Sequence, residues 1–300
     1  MRRPVWAEVD LDALKNNVQE MRRITKPSAQ LMAVVKANGY GHGIEQTART
    51  ALQSGASWLG VALLQEAVTL RDKGITAPIL ILGYTPAEDA AEVINYDISQ
   101  TIFTVEDAQT FAAAAHRLGK KAKVHIKIDT GMGRLGFCPQ GDTLDKIWGL
   151  SQLPDLEIEG IFTHFATADE ADKSFAEEQF MRFQQLLKQL AARHIYIKWR
   201  HCANSAAVID LPYTHLDLVR PGIALYGYYP SPDVNHDLVK LIPVMSLKAR
   251  VAFVKEVAAG CSISYGRKYI AKKKTLIATI PLGYGDGYSR LLSNQGEVLI

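Results

Sequence analysis

The sequence predicts an α/β chain, a (β/α)8 barrel followed by a second, all-β domain. Eight apolar, strand-like runs alternate with segments of helical periodicity through most of the chain. After Pro230-Ser231-Pro232-Asp233 the helical segments stop and strand-like runs follow one another. Polar residues able to do chemistry recur at the C-terminal ends of several runs, where a barrel builds its active site. An open doubly wound sheet is the runner-up for the first part, and the count of eight favours closure.

Taken in order, residues 5–9 alternate apolar and polar and read as a strand. Asp10-Leu11-Asp12-Ala13-Leu14 then puts an acidic cap at the head of a helix running to about Ile24. The eight runs are residues 31–35, 58–63, 78–82, 99–103, 123–128, 158–165, 196–202 and 216–226. Between them the clearest helix carries Ala176, Phe180, Phe183, Leu187 and Leu190 at spacings of three and four, which is a core-facing stripe. Residues 244–254, 276–280 and 298–300 are the strand-like runs of the second domain. The expected division is a barrel at 1–235 and a β domain at 236–300, with the N-terminal strand 4–10 associated with the latter. The sequence ends inside the run Glu297-Val298-Leu299-Ile300, so the β domain is expected to be incomplete.

Composition removes several classes of function. With 300 residues and 48% hydrophobic content the chain can bury a barrel-sized core, so global disorder is excluded. The net charge is +3, with lysines and arginines interspersed. The one dense basic stretch, from Arg267-Lys268 to Lys272-Lys273-Lys274, is short and reads as a solvated hairpin face, so no nucleic-acid partner is expected. Cys138, Cys202 and Cys261 form no C-x-x-C pair and suggest neither a disulfide framework nor a zinc site. They fit a reducing, cytoplasmic location. The basic start Met1-Arg2-Arg3-Pro4 is followed by Glu8, Asp10 and Asp12 rather than an apolar signal core. No run approaches the ~18 apolar residues of a membrane span, so no membrane partner is expected.

The chemistry concentrates at the strand ends. After the first run, Lys36 emerges from Val34-Val35 just before Ala37-Asn38-Gly39-Tyr40-Gly41-His42-Gly43. Such a lysine is either a snorkelling surface group or an amine whose apolar collar lowers its pKa. Tyr40 supplies a nearby hydroxyl and the glycines allow close backbone approach, which makes a Schiff-base lysine beside a phosphate a candidate. Asp129-Thr130-Gly131-Met132-Gly133-Arg134 follows the fifth run, His164 ends the sixth, Asn204 and Ser205 follow the seventh, and Arg220-Pro221-Gly222-Ile223 lies on the eighth. Barrels often bind phosphate with the loops after strands seven and eight, where Ser205 offers a hydroxyl and Gly222-Ile223 offer backbone N–H groups. Each residue alone has a structural explanation: Ser205 as a helix cap, His164 as a satisfied core imidazole, Arg220 as an ion-pair partner. Together at five strand ends they are harder to explain that way. The eight histidines show no metal-ligand spacing, no G-x-S-x-G elbow occurs, and the glycine spacing at 39–43 does not match a dinucleotide fingerprint.

Seven ordered blocks resemble the pyridoxal-phosphate-dependent alanine racemases. They are residues 33–43, 129–136, 163–166, 201–206 and 219–227, then Ser264-Tyr265-Gly266 and Pro281-Leu282-Gly283-Tyr284-Gly285-Asp286-Gly287. The resemblance covers the whole chain. It implies a cytoplasmic enzyme that interconverts L- and D-alanine on pyridoxal 5′-phosphate, supplies D-alanine for peptidoglycan, and works as a homodimer with shared active sites. By the same resemblance Lys36 would hold the cofactor as a Schiff base and act as one acid/base, with Tyr265 as the other. Tyr40, Ser205, Gly222 and Ile223 would hold the phosphate, with Asn204 beside them. Arg220 would face the pyridine nitrogen, His164 would link it toward Tyr265, and Arg134 would contact the cofactor oxygen and the substrate carboxylate. Lys127 resembles a lysine that is carbamylated in many members and would brace Arg134. The family continues with a Met-Asp pair and a further tyrosine at the site, which these residues do not contain.

The chemistry justifies such a set. Racemisation removes the α-proton from one face and returns it on the other, so two acid/base groups must flank the α-carbon. An arginine at the ring nitrogen cannot give up its proton, which weakens the electron sink and disfavours transamination. Three alternatives remain: a racemase for serine or lysine, a decarboxylase on the same cofactor, or a non-catalytic pyridoxal-phosphate-binding homeostasis barrel. The last needs neither the β domain nor Tyr265.

Overall fold

Most barrel strands are short, because a strand buried on both faces needs only enough length to carry an apolar run through the core. The computed structural model describes residues 4–299. Strand β1 (Val5–Val9) opens them, and the barrel follows as β2 (Gln30–Val34), β3 (Trp58–Val61), β4 (Ile79–Ile81), β5 (Ser99–Ile102), β6 (Ala122–Lys127), β7 (Leu156–Phe162), β8 (Trp199–His201) and β9 (Leu218–Val219). These eight are parallel in the order β8-β7-β6-β5-β4-β3-β2-β9. Backbone bonds from Asp217 N to Arg200 O (3.1 Å) and from Arg220 N to Ala203 O (2.9 Å) join β9 to β8 and close the ring. Arg200 grips the Asp217 carboxylate at 2.6 and 2.9 Å on the same seam.

Side chains fill the barrel. Met32, Trp58, Leu80 and Leu218 form a cluster inside it, with Leu82 and Trp199 packed against them. The outer helices start and stop where their sequences say. Asp10 Oδ1 accepts from Asp12 N and Ala13 N, both at 2.9 Å, to open helix Leu11–Ile24. Thr104 caps Val105–Leu118, which ends on left-handed Gly119 at φ 62°. Helix Ser174–Ala192 buries Ala176, Phe180, Phe183 and Leu190 as expected, but Leu186 and not Leu187 completes its core face.

One expectation needs correction. Of the eighth run, 216–226, only Leu218–Val219 is strand, because Pro221 lacks an N–H for the ladder and Ile223–Tyr226 winds into a 3-10 turn. By its contacts one structural unit is Asp10–Val244. Asn17, fully buried, reaches the end of this unit: Nδ2 donates to Leu225 O (3.1 Å) and Ile242 O (2.8 Å), while Oδ1 accepts from Ile242 N (2.8 Å). Residues past 235 are thereby bonded to the first helix.

The other unit combines the described residues up to Val9 with those from Met245 onward. Its strand β10 (Met245–Ala249) pairs antiparallel with β1. Strand β11 (Phe253–Val257) pairs with β14 (Thr275–Thr279), and β12 (Ser262–Ile263) with β13 (Tyr269–Ile270), all antiparallel. The basic side chains of 267–274 are exposed on and beside this last hairpin. Val298 and Leu299 lie in no strand, and Ile300 of that run lies outside the described residues. Among the described residues no helix is long and apolar enough to cross a membrane.

Replacing Asn17 with alanine is expected to cost about 1–3 kcal/mol, because it leaves the buried Leu225 carbonyl and the part-buried backbone groups of Ile242 without their side-chain partner. Urea denaturation followed by tryptophan fluorescence measures this. A midpoint equal to that of the parent protein would contradict the anchoring role.

Candidate active site

The turn after β2 is strained, and its strain aims Lys36. Ala37, Asn38, Gly39 and Tyr40 all have positive φ, at 52°, 54°, 62° and 51°. For residues with a side chain this costs roughly 1–2 kcal/mol each. Glu66 offsets the cost by accepting from Asn38 N (3.3 Å) through one oxygen and from Ala62 N (2.8 Å) through the other. Asn38 Oδ1 in turn accepts from Ile44 N at 2.9 Å, at the head of helix Ile44–Gln53. Gly39 is required by space as well as by φ, since a Cβ there would sit 2.8 Å from Thr47 Oγ1. Tyr226 braces the turn from below: its ring lies 4.7 Å from those of Tyr40 and His42, and its hydroxyl donates to Val34 O.

Lys36 and nine other expected residues line one cavity of ≈ 400 Å³ at the C-terminal ends of the strands. The nine are Tyr40, Lys127, Arg134, His164, Asn204, Ser205, Arg220, Gly222 and Ile223. Tyr265 belongs to the second unit, in the turn between β12 and β13, and is 87% exposed.

At one end of the cavity Ser205 Oγ accepts from Gly222 N (2.9 Å) and Ala224 N (3.3 Å). Gly222 N–H is therefore spent within the protein, while the Ser205 hydroxyl proton stays available as a donor. A Cβ on Gly222 would lie 2.9 Å from Tyr40 Oη, so only glycine leaves room for that hydroxyl. Asn204 Oδ1 caps the short helix beyond, accepting from Ala207 N at 3.0 Å.

At the cavity floor Arg220 is 4% exposed and lies over the Phe162 ring, 5.1 Å from its centroid. It donates to His201 Nδ1 (2.9 Å), Thr163 O (2.9 Å), His164 Nδ1 (3.2 Å) and Cys202 O (3.3 Å). Burial lowers its pKa to about 10, which still leaves it protonated at neutral pH. Desolvation, followed by the Arg220 charge, pushes His164 and His201 well below the ordinary imidazole range. Both rings are neutral acceptors at Nδ1.

The cations crowd. Lys127 is 6% exposed, and burial, then Arg220 and Arg134, hold its pKa well below normal. Lys36 is lowered by burial first and by Arg134 second. Asp129 spends its carboxylate on the loop backbone, accepting from Gly131 N and Gly133 N at 3.0 Å and Arg134 N at 3.1 Å, which fixes the loop that carries Arg134. Among the described residues no group of three or more His, Cys, Asp and Glu could hold a metal ion. The donors fit a phosphorylated aldehyde: an amine of lowered pKa, a hydroxyl cradle beside a glycine without room for Cβ, and a buried guanidinium for a ring nitrogen.

Several residues of the site were not anticipated from the sequence. Glu66, Phe162 and Tyr226 support it, and Gln179, fully buried, accepts from Ala166 N and donates to His164 O. His125 and Glu159 lie behind it. For His125 a signal existed, since a residue two before Lys127 on a strand faces the same side.

Comparison with known proteins yields consistent matches. Residues 9–230 match the family model described as alanine racemase, N-terminal domain, and residues 244–300 match alanine racemase, C-terminal domain. An alanine racemase of Desulforamulus reducens is 49% identical over 300 residues, covering 100% of this chain and 81% of the relative. One of Clostridium perfringens strain SM101 is 52% identical over 99% of this chain and 77% of its own. The solved alanine racemase of Clostridium difficile 630 superposes with a TM-score of 0.92 at 41% identity, over 97% of this chain and 76% of that one.

The neutral imidazoles predict how stability depends on pH. His125, His164 and His201 have folded pKa values below the unfolded value of ~6.5, so below that pH the unfolded chain binds protons that the folded chain does not. Stability is complete above about pH 7 and falls as pH drops, by up to about 1.4 kcal/mol per pH unit for each such histidine. Urea unfolding at pH 7 and pH 5 measures the slope, and equal stability at the two would contradict the burial of neutral rings.

Proposed function

The chain belongs to the alanine racemase family, and from that premise we propose that it interconverts L- and D-alanine with pyridoxal 5′-phosphate bound in the barrel cavity. The observation that carries this is the single cavity uniting Lys36, the Ser205–Gly222–Tyr40 cradle and Arg220. When bound, the cofactor supplies an electron sink conjugated to the α-carbon of the amino acid.

The protein supplies the rest. Lys36 holds the cofactor covalently, and its lowered pKa leaves more free amine to take or return the α-proton on one face. Tyr265 serves the opposite face. Ser205 and Tyr40 would donate hydroxyl protons to the phosphate and Ile223 its backbone N–H, with Asn204 lining the same cavity. Arg220 donates to the ring nitrogen and keeps its own proton, while His164 accepts from Arg220 and links it toward Tyr265. Arg134 pairs with the alanine carboxylate.

Lys127 is carbamylated in this account. Its free-amine form, favoured by burial, adds to the carbon of CO2 and releases one proton, and the resulting anion braces Arg134 and offsets the neighbouring Arg220 and Arg134 cations. Tyr265 acts in the barrel of a partner subunit, so that a twofold homodimer builds two shared sites. Its near-complete exposure within one chain supports that role. The enzyme works in the cytoplasm and feeds D-alanine to peptidoglycan synthesis.

The test is complementation. With pyridoxal phosphate present, the parent protein should abolish the optical rotation of L-alanine without releasing CO2, and serine and lysine serve as competing substrates. Lys36→Ala and Tyr265→Ala should each be inactive, whereas co-expression should restore activity in mixed dimers with one intact site. No recovery would refute the shared site, and no loss of rotation with the parent protein would refute the racemase.

A further inference from the structure

Behind Arg220 a line of buried polar groups crosses the barrel core. Arg220 Nη1 is 2.9 Å from His201 Nδ1, His201 Nε2 is 2.8 Å from His125 Nδ1, and His125 Nε2 is 3.3 Å from Glu159 Oε1. Glu159 also accepts from the Ser99 hydroxyl. Both histidines have no exposed surface, and the line ends where the Glu159 side chain, 14% exposed, reaches a polar cavity shared with Lys123 and Arg71. That cavity lies at the N-terminal ends of the strands, opposite the active site.

Counting donors fixes every proton in the line. A guanidinium has only donors, so His201 Nδ1 must accept and its proton sits on Nε2. That proton faces His125 Nδ1, which must therefore accept, placing the second imidazole proton on Nε2 as well. A carboxylate only accepts, so Glu159 closes the line at the far end. Both ends impose the same direction. Burial lowers the pKa of both imidazoles, in keeping with neutral rings. Burial alone would raise the Glu159 carboxyl, but its bonds to His125 and Ser99 and the nearby Lys123 hold it below its usual value.

The backbone is shaped around these contacts. Val124 pairs with Ile158 but His125 pairs with Gly160, so Glu159 is the extra residue of a bulge in the β6–β7 pairing. A bulge turns one side chain away from the regular alternation. Gly160 makes space for the ring, since a Cβ there would lie 2.1 Å from His125 Nδ1. His201 is stacked on Phe162, with ring centroids 4.7 Å apart and planes 5° apart, and the edge of Trp58 meets His125 at 5.6 Å. Neither ring can turn freely.

We propose that His201, His125 and Glu159 are positioning residues for the racemisation: a one-way hydrogen-bond relay that orients the Arg220 guanidinium and links it to a carboxylate at the opposite end of the barrel. The role rests on Arg220 facing the cofactor ring nitrogen. A carboxylate bonded directly to Arg220 would cancel much of the field that the guanidinium presents to that nitrogen. Two neutral imidazoles accept its hydrogen bonds without adding negative charge there, and the balancing anion is moved several bonds away. Arg220 makes no direct hydrogen bond or ion pair with a carboxylate among the described residues, so the relay is its hydrogen-bonded route to one.

The decisive experiment is 15N NMR of histidine-labelled protein, first without cofactor and near pH 7. His125 and His201 should each appear as one neutral species protonated at Nε2. Glu159→Leu should shift the His125 signals and, through the relay, those of His201, while Glu159→Gln, which keeps an acceptor, should stay close to the parent. In cofactor-loaded enzyme Glu159→Leu should lower kcat by about tenfold, the scale of one hydrogen bond to a charged group, with KM for alanine little changed. Glu159→Gln should recover most of that loss. A proton on Nδ1 of either ring, a doubly protonated ring, or a Glu159→Leu enzyme with unshifted His201 and parental kcat would overturn the relay. Should the leucine variant fail to fold, the parental tautomers and the glutamine variant still decide. The cofactor-free spectra separate the two ideas: the expected tautomers in a protein inactive on alanine would fault the racemase assignment and support the relay.

Discussion

The Arg220 guanidinium sits in the wall of a barrel, and every group that accepts its protons is neutral. Two backbone carbonyls and two imidazole nitrogens hold it. Removing such a charge from water costs several kcal/mol unless its hydrogen bonds are all made, so the surroundings are committed to making them. β7 delivers Thr163 and His164, β8 delivers His201 and Cys202, and the seam between β8 and β9 sets Arg220 beside them. The closure of the barrel and the assembly of the site are thus one construction.

A second commitment is the left-handed turn at 37–40. It is locally unfavourable and persists because Glu66, the Asn38–Ile44 bond and the Tyr226 platform determine it from three sides. The return on that strain is geometric, since it puts the Lys36 amine and the Tyr40 hydroxyl into the same cavity within five residues of chain. Stability elsewhere, in Asn17 and the apolar strands, compensates.

Much of this was legible in the sequence, and the misses have physical causes. The eight strand-like runs correspond to eight strands because parallel barrel strands are apolar on both faces and stand out as continuous runs. The last run was too long because apolar composition at Ile223-Ala224-Leu225-Tyr226 says nothing of the break that Pro221-Gly222 imposes. Strand-end residues such as Lys36, Ser205 and Arg220 could be found because a barrel turns order along the chain into position around one mouth. His125, Glu159 and His201 could not be assembled that way: they meet across 34 and 76 positions, and Glu159 faces His125 only because of a bulge. The anchoring of Ile242 could not be read either, because Asn17, one polar residue in an amphipathic helix, carries no mark of the segment it holds.

The central claim is that Arg220 presents a donor that never yields its proton. Loading the protein with pyridoxal phosphate carrying 15N in the ring and recording its NMR spectrum near pH 7 tests this most directly. The account predicts the chemical shift of an unprotonated, hydrogen-bonded pyridine nitrogen, and replacing Arg220 with glutamate should move it toward the protonated value. A ring nitrogen already protonated in the parent protein would contradict the account.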